Sequence, residues 1–156
     1  PVSADKPEHQ RLHRQRATAD FRIGNDDSGL NHIARRDLVL DRDVLGGGGD
    51  RDRGKRPQMA AIAEQWADTI ILTDDNPRTE DPTVIIADMC AGLQKPAEAH
   101  IEHSRLRAIE LALSQAVAGD IILVAGKGHE DYQIIGKEKR HYSDRETVMQ
   151  LLGVTS

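Results

Sequence analysis

A single cysteine, Cys90, stands in the 156 residues, so no intrachain disulfide is available and a reducing compartment is expected. Cys90 falls in a predicted helix and reads as a small core residue. Aromatic residues make up only 3%, which leaves Val, Ile, Leu, Met and Ala to build the core. No run of about 18 apolar residues occurs, so no membrane-spanning helix is predicted. The N-terminus lacks an apolar stretch with the flanks of a signal peptide, and a cytoplasmic location is the default expectation. An excess of basic charge is also missing. The formal net charge of -5 gives no bulk electrostatic case for nucleic-acid binding. What is present, 38% hydrophobic and 30% charged residues, suits one soluble domain with one core.

Residues 1 to about 37 form the weak region, where Arg, His, Asp and Gln mix without a sustained period, and residues 1–43 are set apart as an atypical N-terminal segment. Only Phe21, Ile23, Leu30 and Ile33 offer anchors, and a poorly ordered or loosely docked stretch is expected. Leu38-Val39-Leu40 and Val44-Leu45 suggest a strand broken by Asp41-Arg42-Asp43, followed by a tight loop at Gly46 to Gly49. From Pro57 the pattern is regular. Met59, Ile62, Ala63 and Trp66 recur at helical spacing, and Pro57 suits a first turn. Ile70-Ile71-Leu72 reads as a buried strand. Asp81 and Pro82 read as N-cap and N1 of a helix with Ile85, Met89 and Leu93 inward. His100-Ile101-Glu102 suggests a short strand. Ser104 caps a helix whose inner face is read as Leu106, Ile109, Leu113 and Val117, ended by Gly119. Ile121 to Val124 is the clearest buried strand. Residues 132–142 read as a hairpin turning at Gly136-Lys137, and Ser143 to Glu146 as the capping box of a last helix. The alternation predicts an α/β fold: Rossmann-like, with a mainly parallel sheet, helices on both faces and a C-terminal hairpin.

Two predicted loops leave the carboxyl ends of strands, where open α/β sheets bind ligands. In the first, Pro77 stiffens the turn and restricts Asn76, so Arg78 projects from a defined place. Its guanidinium suits a carboxylate. The same turn also reads as a capped strand-to-helix connection with an exposed arginine. In the second, Gly126-Lys127-Gly128-His129-Glu130, the glycines permit close approach of a ligand, and Glu130 suits an ammonium group. A solvated charged turn is the competing reading. Adjacent His129, Glu130 and Asp131 lack metal-ligand spacing, and no metal site is expected. A third segment, Gly49 to Arg56, nearly matches a P-loop, but Arg56 stands where magnesium needs a hydroxyl. Arg51 there suits a second carboxylate, and Asp50 suits ribose hydroxyls. Arg53, Lys55 and Arg56 read as surface or phosphate-steering residues.

These segments together resemble the C-terminal domain of the Mur ligases, in particular the members that add meso-diaminopimelate. The matching stretches are Gly48 to Pro57, Asp75 to Arg78, Ala125 to Tyr132, and Tyr142 to Arg145 with Thr147-Val148. The resemblance covers residues 44–154, and the domain is set at 44–156. It implies that Asp75, Asn76, Pro77 and Arg78 recognise meso-diaminopimelate, with Arg51, Gly126 and Glu130 completing the pocket and Asp50 touching the nucleotide. It implies no catalytic residue within this stretch. It further implies ATP and Mg2+, held mainly by a central domain, and UDP-MurNAc-L-Ala-D-Glu as the other substrate. The stretch is expected to be a ligase fragment inactive by itself. A non-catalytic α/β module derived from the ligase, or a related ligase for another amino acid, is the alternative.

Overall fold

A computed structural model describes residues 20–23 and 40–154. Its strands are β1 (Asp20–Ile23), β2 (Leu40–Gly47), β3 (Thr69–Asp74), β4 (His100–Ile101), β5 (Ile121–Ala125), β6 (Tyr132–Ile135) and β7 (Glu138–His141). Its α-helices are α1 (Lys55–Trp66), α2 (Pro82–Cys90), α3 (Arg105–Gln115) and α4 (Asp144–Leu152). The first five strands form one sheet in the order β1-β5-β2-β3-β4, with every pairing parallel. β6 and β7 form a separate antiparallel hairpin. The Rossmann-like α/β prediction is therefore correct.

Side chains alternate across the sheet, as the two-residue period of a strand requires. Leu45, Ile70, Leu72 and Ala125 pack with Ala60, Ala63, Ile85, Ile86 and Met89 of α1 and α2. Val44, Ile71, Ile122 and Val124 pack on the other face with Ala108, Ile109 and Ala112 of α3 and Val148 of α4. Each fully buried Ile or Leu contributes on the order of 1.5–3 kcal/mol through burial, so these layers fix the strand positions firmly.

The predicted helix starts hold. Asp81 accepts from the Thr83 amide, Ser104 from Arg107 and Ser143 from Glu146. Only half of the predicted capping box forms: Ser143 Oγ accepts from the Glu146 amide, while the Glu146 carboxylate meets His141 Nε2 at 2.7 Å rather than the Ser143 amide. Other readings need correction. β2 continues through Arg42 and Asp43, with a shift in its pairing to β5 between Leu40 and Arg42, and Arg42 is neutralised by Asp120 and bonded to the Gln115 carbonyl. Gly46 and Gly47 belong to that strand rather than to the loop. The buried face of α1 is Arg56, Ala60 and Ala63, with Ile62 and Trp66 only half-buried. On α3, Arg105, Ala108, Ile109 and Ala112 turn inward, whereas Leu106 is 40% exposed. That helix stops at Gln115, and Asp120 closes the following turn by accepting from the Val117 amide. Of the predicted N-terminal segment 1–43, Asp20–Ile23 lies against β5 as a strand, while Leu30, Ile33, Leu38 and Val39 lie outside the described residues.

Asp43 is 2% exposed, and its Oδ1 has no hydrogen-bond partner among the described residues. Burial alone raises its pKa to about 7. A carboxyl raised this way binds its proton more tightly in the folded chain. Its cost is absent below the ordinary value of 3.8, grows as pH rises, and is complete above about 7. Asp43→Asn is therefore expected to stabilise the chain by a few kcal/mol at about pH 8 and negligibly at about pH 4. Urea denaturation across that range measures the difference, and a pH-independent gap between the two proteins contradicts it.

Candidate functional site

The carboxyl ends of β2, β3 and β5 lie side by side, and β2 and β5 are adjacent although far apart in sequence. Their exits lead in different directions, which opens a crevice at the switch in strand order. A cleft of about 860 Å³ occupies that place. Arg51, Asp75, Asn76, Arg78, Gly126 and Glu130 all line it. The predicted arginine and glutamate thus face one space. Pro77 and Asp50 are not part of this lining. Pro77 is buried beside Gly49, and the exposed Asp50 carboxylate accepts from the Thr79 hydroxyl at 2.8 Å.

Asn76 organises the cleft. Its side chain, 2% exposed, donates through Nδ2 to Glu130 Oε2 at 2.7 Å and accepts at Oδ1 from the Ile134 amide at 2.8 Å. Its carbonyl accepts from the Gly49 amide at 2.8 Å. One residue so joins the turn after β3, the loop after β2, the loop after β5 and the hairpin. Glu130 Oε1 also accepts from the Tyr132 hydroxyl at 3.1 Å. That bond and the Glu130 charge push the Tyr132 pKa up, while Arg78 and Arg51 pull it down. The glutamate and both arginines therefore act on one small region.

Arg78 has a φ of 52°, in the left-handed region that a side-chain-bearing residue enters at a cost of about 1 kcal/mol. The hairpin holds it there. The Arg78 amide donates to the Ile134 carbonyl at 3.1 Å, and its carbonyl accepts from the Gly136 amide at 2.7 Å. The guanidinium donates through Nη1 to the Gly49 carbonyl at 2.6 Å. A guanidinium has further N–H groups, so this bond aims the group without exhausting it.

Buried charges that sequence reasoning missed lie at the cleft, with Asp75, Lys127 and Arg56 in its lining. Lys127 Nζ is 2.7 Å from Asp75 Oδ1, and their side chains are 0% and 8% exposed. The Asp75 carboxylate is thus turned toward a buried lysine. Arg105 is paired with Asp144 through Nε and Nη2, each bond 2.7 Å, and Nη2 also reaches the Ala125 carbonyl at 3.1 Å. Burial opposes the Arg105 charge, yet the Asp144 carboxylate more than offsets this and leaves its pKa raised. Arg56, read from sequence as a surface or phosphate-steering residue, is 4% exposed and bonds Glu80, Asp88 and the Gly48 carbonyl. None of these pairings has a local sequence signal. The only hint is a charged residue inside an otherwise regular element, such as Arg105 directly after the Ser104 cap.

Two glycines are required by this packing. A Cβ on Gly46 would lie 2.1 Å from Arg105 Nη1. Gly126 has a φ of 107°, and a Cβ there would lie 2.5 Å from the Gly46 carbonyl oxygen. Chemically, the cleft presents the guanidinium groups of Arg51 and Arg78 with a Glu130 carboxylate held by two hydrogen bonds. This set suits a small zwitterion with more than one carboxylate.

A family profile described as "Mur ligase, glutamate ligase domain" matches residues 31–128. The UDP-N-acetylmuramoyl-L-alanyl-D-glutamate--2,6-diaminopimelate ligase of Vibrio cholerae is 67% identical over 109 residues, covering 70% of this chain and 22% of that protein. The protein of the same name from Synechococcus sp. is 61% identical over 109 residues, again covering 70% and 22%. A solved structure of a ligase with this name superposes with a TM-score of 0.68 at 44% identity, covering 74% of this chain and 24% of that one. The chain thus spans less than a quarter of the length of these relatives.

Gly46→Ala is expected to drive the Arg105 guanidinium off Asp144 and to destabilise the chain by about 3 kcal/mol. Denaturant titration reads this directly, and a change within about 0.5 kcal/mol of zero would contradict the packing described.

Proposed function

The chain belongs to the Mur ligase family, and from that membership and the cleft we propose that it is the C-terminal, amino-acid-binding domain of an ATP-dependent ligase. The ligase joins meso-diaminopimelate to UDP-N-acetylmuramoyl-L-alanyl-D-glutamate in cytoplasmic peptidoglycan synthesis. The relatives named for this reaction support the substrate assignment. The observation that carries it is the convergence of Arg51, Arg78 and Glu130 on one cleft.

Meso-diaminopimelate differs from lysine by one carboxylate on the distal carbon. Arg78 takes that carboxylate, and Arg51 supports it as a second clamp. Glu130 and the Gly126 carbonyl, both in the cleft lining, take an ammonium group. Pro77 keeps the turn rigid. Asp75 and Asn76 contribute by holding the turn, since their side chains are engaged with Lys127 and with Glu130 and Ile134. Lysine leaves the arginine facing no anion, and a polar site deprived of its partner rejects a ligand far more strongly than an apolar pocket rejects a missing methylene. The domain thereby presents the amine that attacks the activated carboxyl of the other substrate.

ATP supplies the activation of that carboxyl in the proposed reaction. The residues described do not build a seat for its triphosphate or for magnesium. Arg56 fills the loop between Gly49 and α1 through its bonds to Glu80, Asp88 and Gly48. No group of three His, Cys, Asp or Glu among the described residues is arranged for a metal ion. Asp50 has an exposed carboxylate for a ribose hydroxyl, and its bond to Thr79 keeps it in place. No helix among the described residues is long and apolar enough to cross a membrane.

Calorimetric titration with meso-diaminopimelate and with L-lysine tests the assignment. The chain is expected to prefer meso-diaminopimelate, and Arg78→Ala to weaken that binding by about 2–5 kcal/mol, as for loss of one partner of a buried charge pair. A preference that survives Arg78→Ala unchanged would remove Arg78 from the recognition site.

A further inference from the structure

We propose that Lys127 is a positioning residue that sets the spacing between Arg78 and Glu130, and through it the preference for an amino acid with a distal carboxylate. This rests on the reading of Arg78 and Glu130 as the ligand-holding pair. A lysine side chain with no exposure is rare unless its charge is matched. The matching groups here come from different segments. The Lys127 ammonium contacts Asp75 Oδ1 at 2.7 Å and donates to the Tyr132 carbonyl at 2.7 Å. It also lies 5.6 Å from the centroid of the Tyr142 ring, a cation–π contact.

Asp75 directly precedes Asn76-Pro77-Arg78. Tyr132 opens β6, and Tyr142 follows β7. The bond to Tyr132 closes the loop that carries Glu130, whose amide donates to the Lys127 carbonyl at 3.2 Å. The contact to Asp75 fastens that loop to the arginine turn. The hairpin completes the frame through Ile134 to Asn76 Oδ1 and Gly136 to the Arg78 carbonyl. Lys127 thus ties the Glu130 loop to the arginine turn alongside the Asn76 side chain, which bonds Glu130 directly. The neighbouring Arg105–Asp144 pair, bonded to the Ala125 carbonyl, anchors the end of β5 from below and leaves the four buried charges balanced. Asp75 thus serves as the counter-charge of Lys127.

Removing Lys127 alone strands the Asp75 charge, so the decisive protein is the Lys127→Met/Asp75→Asn double variant, which removes both charges together. Amide hydrogen exchange and titration with meso-diaminopimelate and L-lysine are measured on the 156-residue chain. The Ile134 and Gly136 amides are expected to exchange about tenfold faster while Ile71, Leu72 and Ile122 keep their protection, and the ratio of meso-diaminopimelate to lysine affinity is expected to fall about tenfold. Unchanged exchange at Ile134 and Gly136 overturns the inference. So does loss of protection throughout the sheet, or failure of the double variant to fold, since either assigns Lys127 to general stability. If the unmodified chain binds neither amino acid, the functional reading fails, and the exchange pattern still decides whether Lys127 ties the turn to the hairpin.

Discussion

The Asn76 carboxamide sits between the hairpin and the Glu130 carboxylate, and the geometry of the whole cleft follows from its two hydrogen bonds. A buried amide of this kind is stable only when its donor and acceptor are both satisfied. Satisfying them forces the loop after β5, the turn after β3 and the hairpin into one arrangement. The left-handed Arg78 belongs to the same frame, held by backbone bonds to Ile134 and Gly136.

Beneath this hydrogen-bonded layer lies a layer of buried charge. Asp75 and Lys127 stand just past β3 and β5, where an α/β sheet usually leaves polar groups for its ligand, and Arg105 and Asp144 open α3 and α4. Buried ion pairs add little net stability compared with an apolar core, but breaking one is expensive. Here they fix direction. Arg105 occupies the space that Gly46 leaves open, and Lys127 holds the Glu130 loop against the arginine turn. The small residues at the ends of β2 and β5 are the steric condition for that cluster.

Much of the fold was legible in the sequence because its signals are local. The apolar runs of β3 and β5, the caps at Asp81, Ser104 and Ser143, and the Gly136 turn each announce themselves within a few residues. The shared placement of Arg78 and Glu130 was legible too, since both follow strands that must end at the same edge of a parallel sheet. What failed was reading direction from hydrophobicity alone. On α1 the inward positions are Ala60, Ala63 and a paired arginine, because the helix packs closely, and the bulkier Ile62 and Trp66 sit at its flank. The buried pairs Lys127–Asp75 and Arg105–Asp144 join distant segments, and no short window of sequence contains both partners. The continuity of β2 was hidden for the same reason: Arg42 is matched by Asp120, which stands directly before β5 and distant in sequence.

The central claim is that one zwitterionic amino acid lies between the arginines and the glutamate of this cleft. Titrating the isotopically labelled chain with meso-diaminopimelate, while following backbone amide resonances, locates the ligand residue by residue. The account predicts saturable shifts concentrated at Arg51, Asn76, Arg78 and Gly126 to Glu130. Saturable shifts clustered elsewhere, with these amides unmoved, would contradict it.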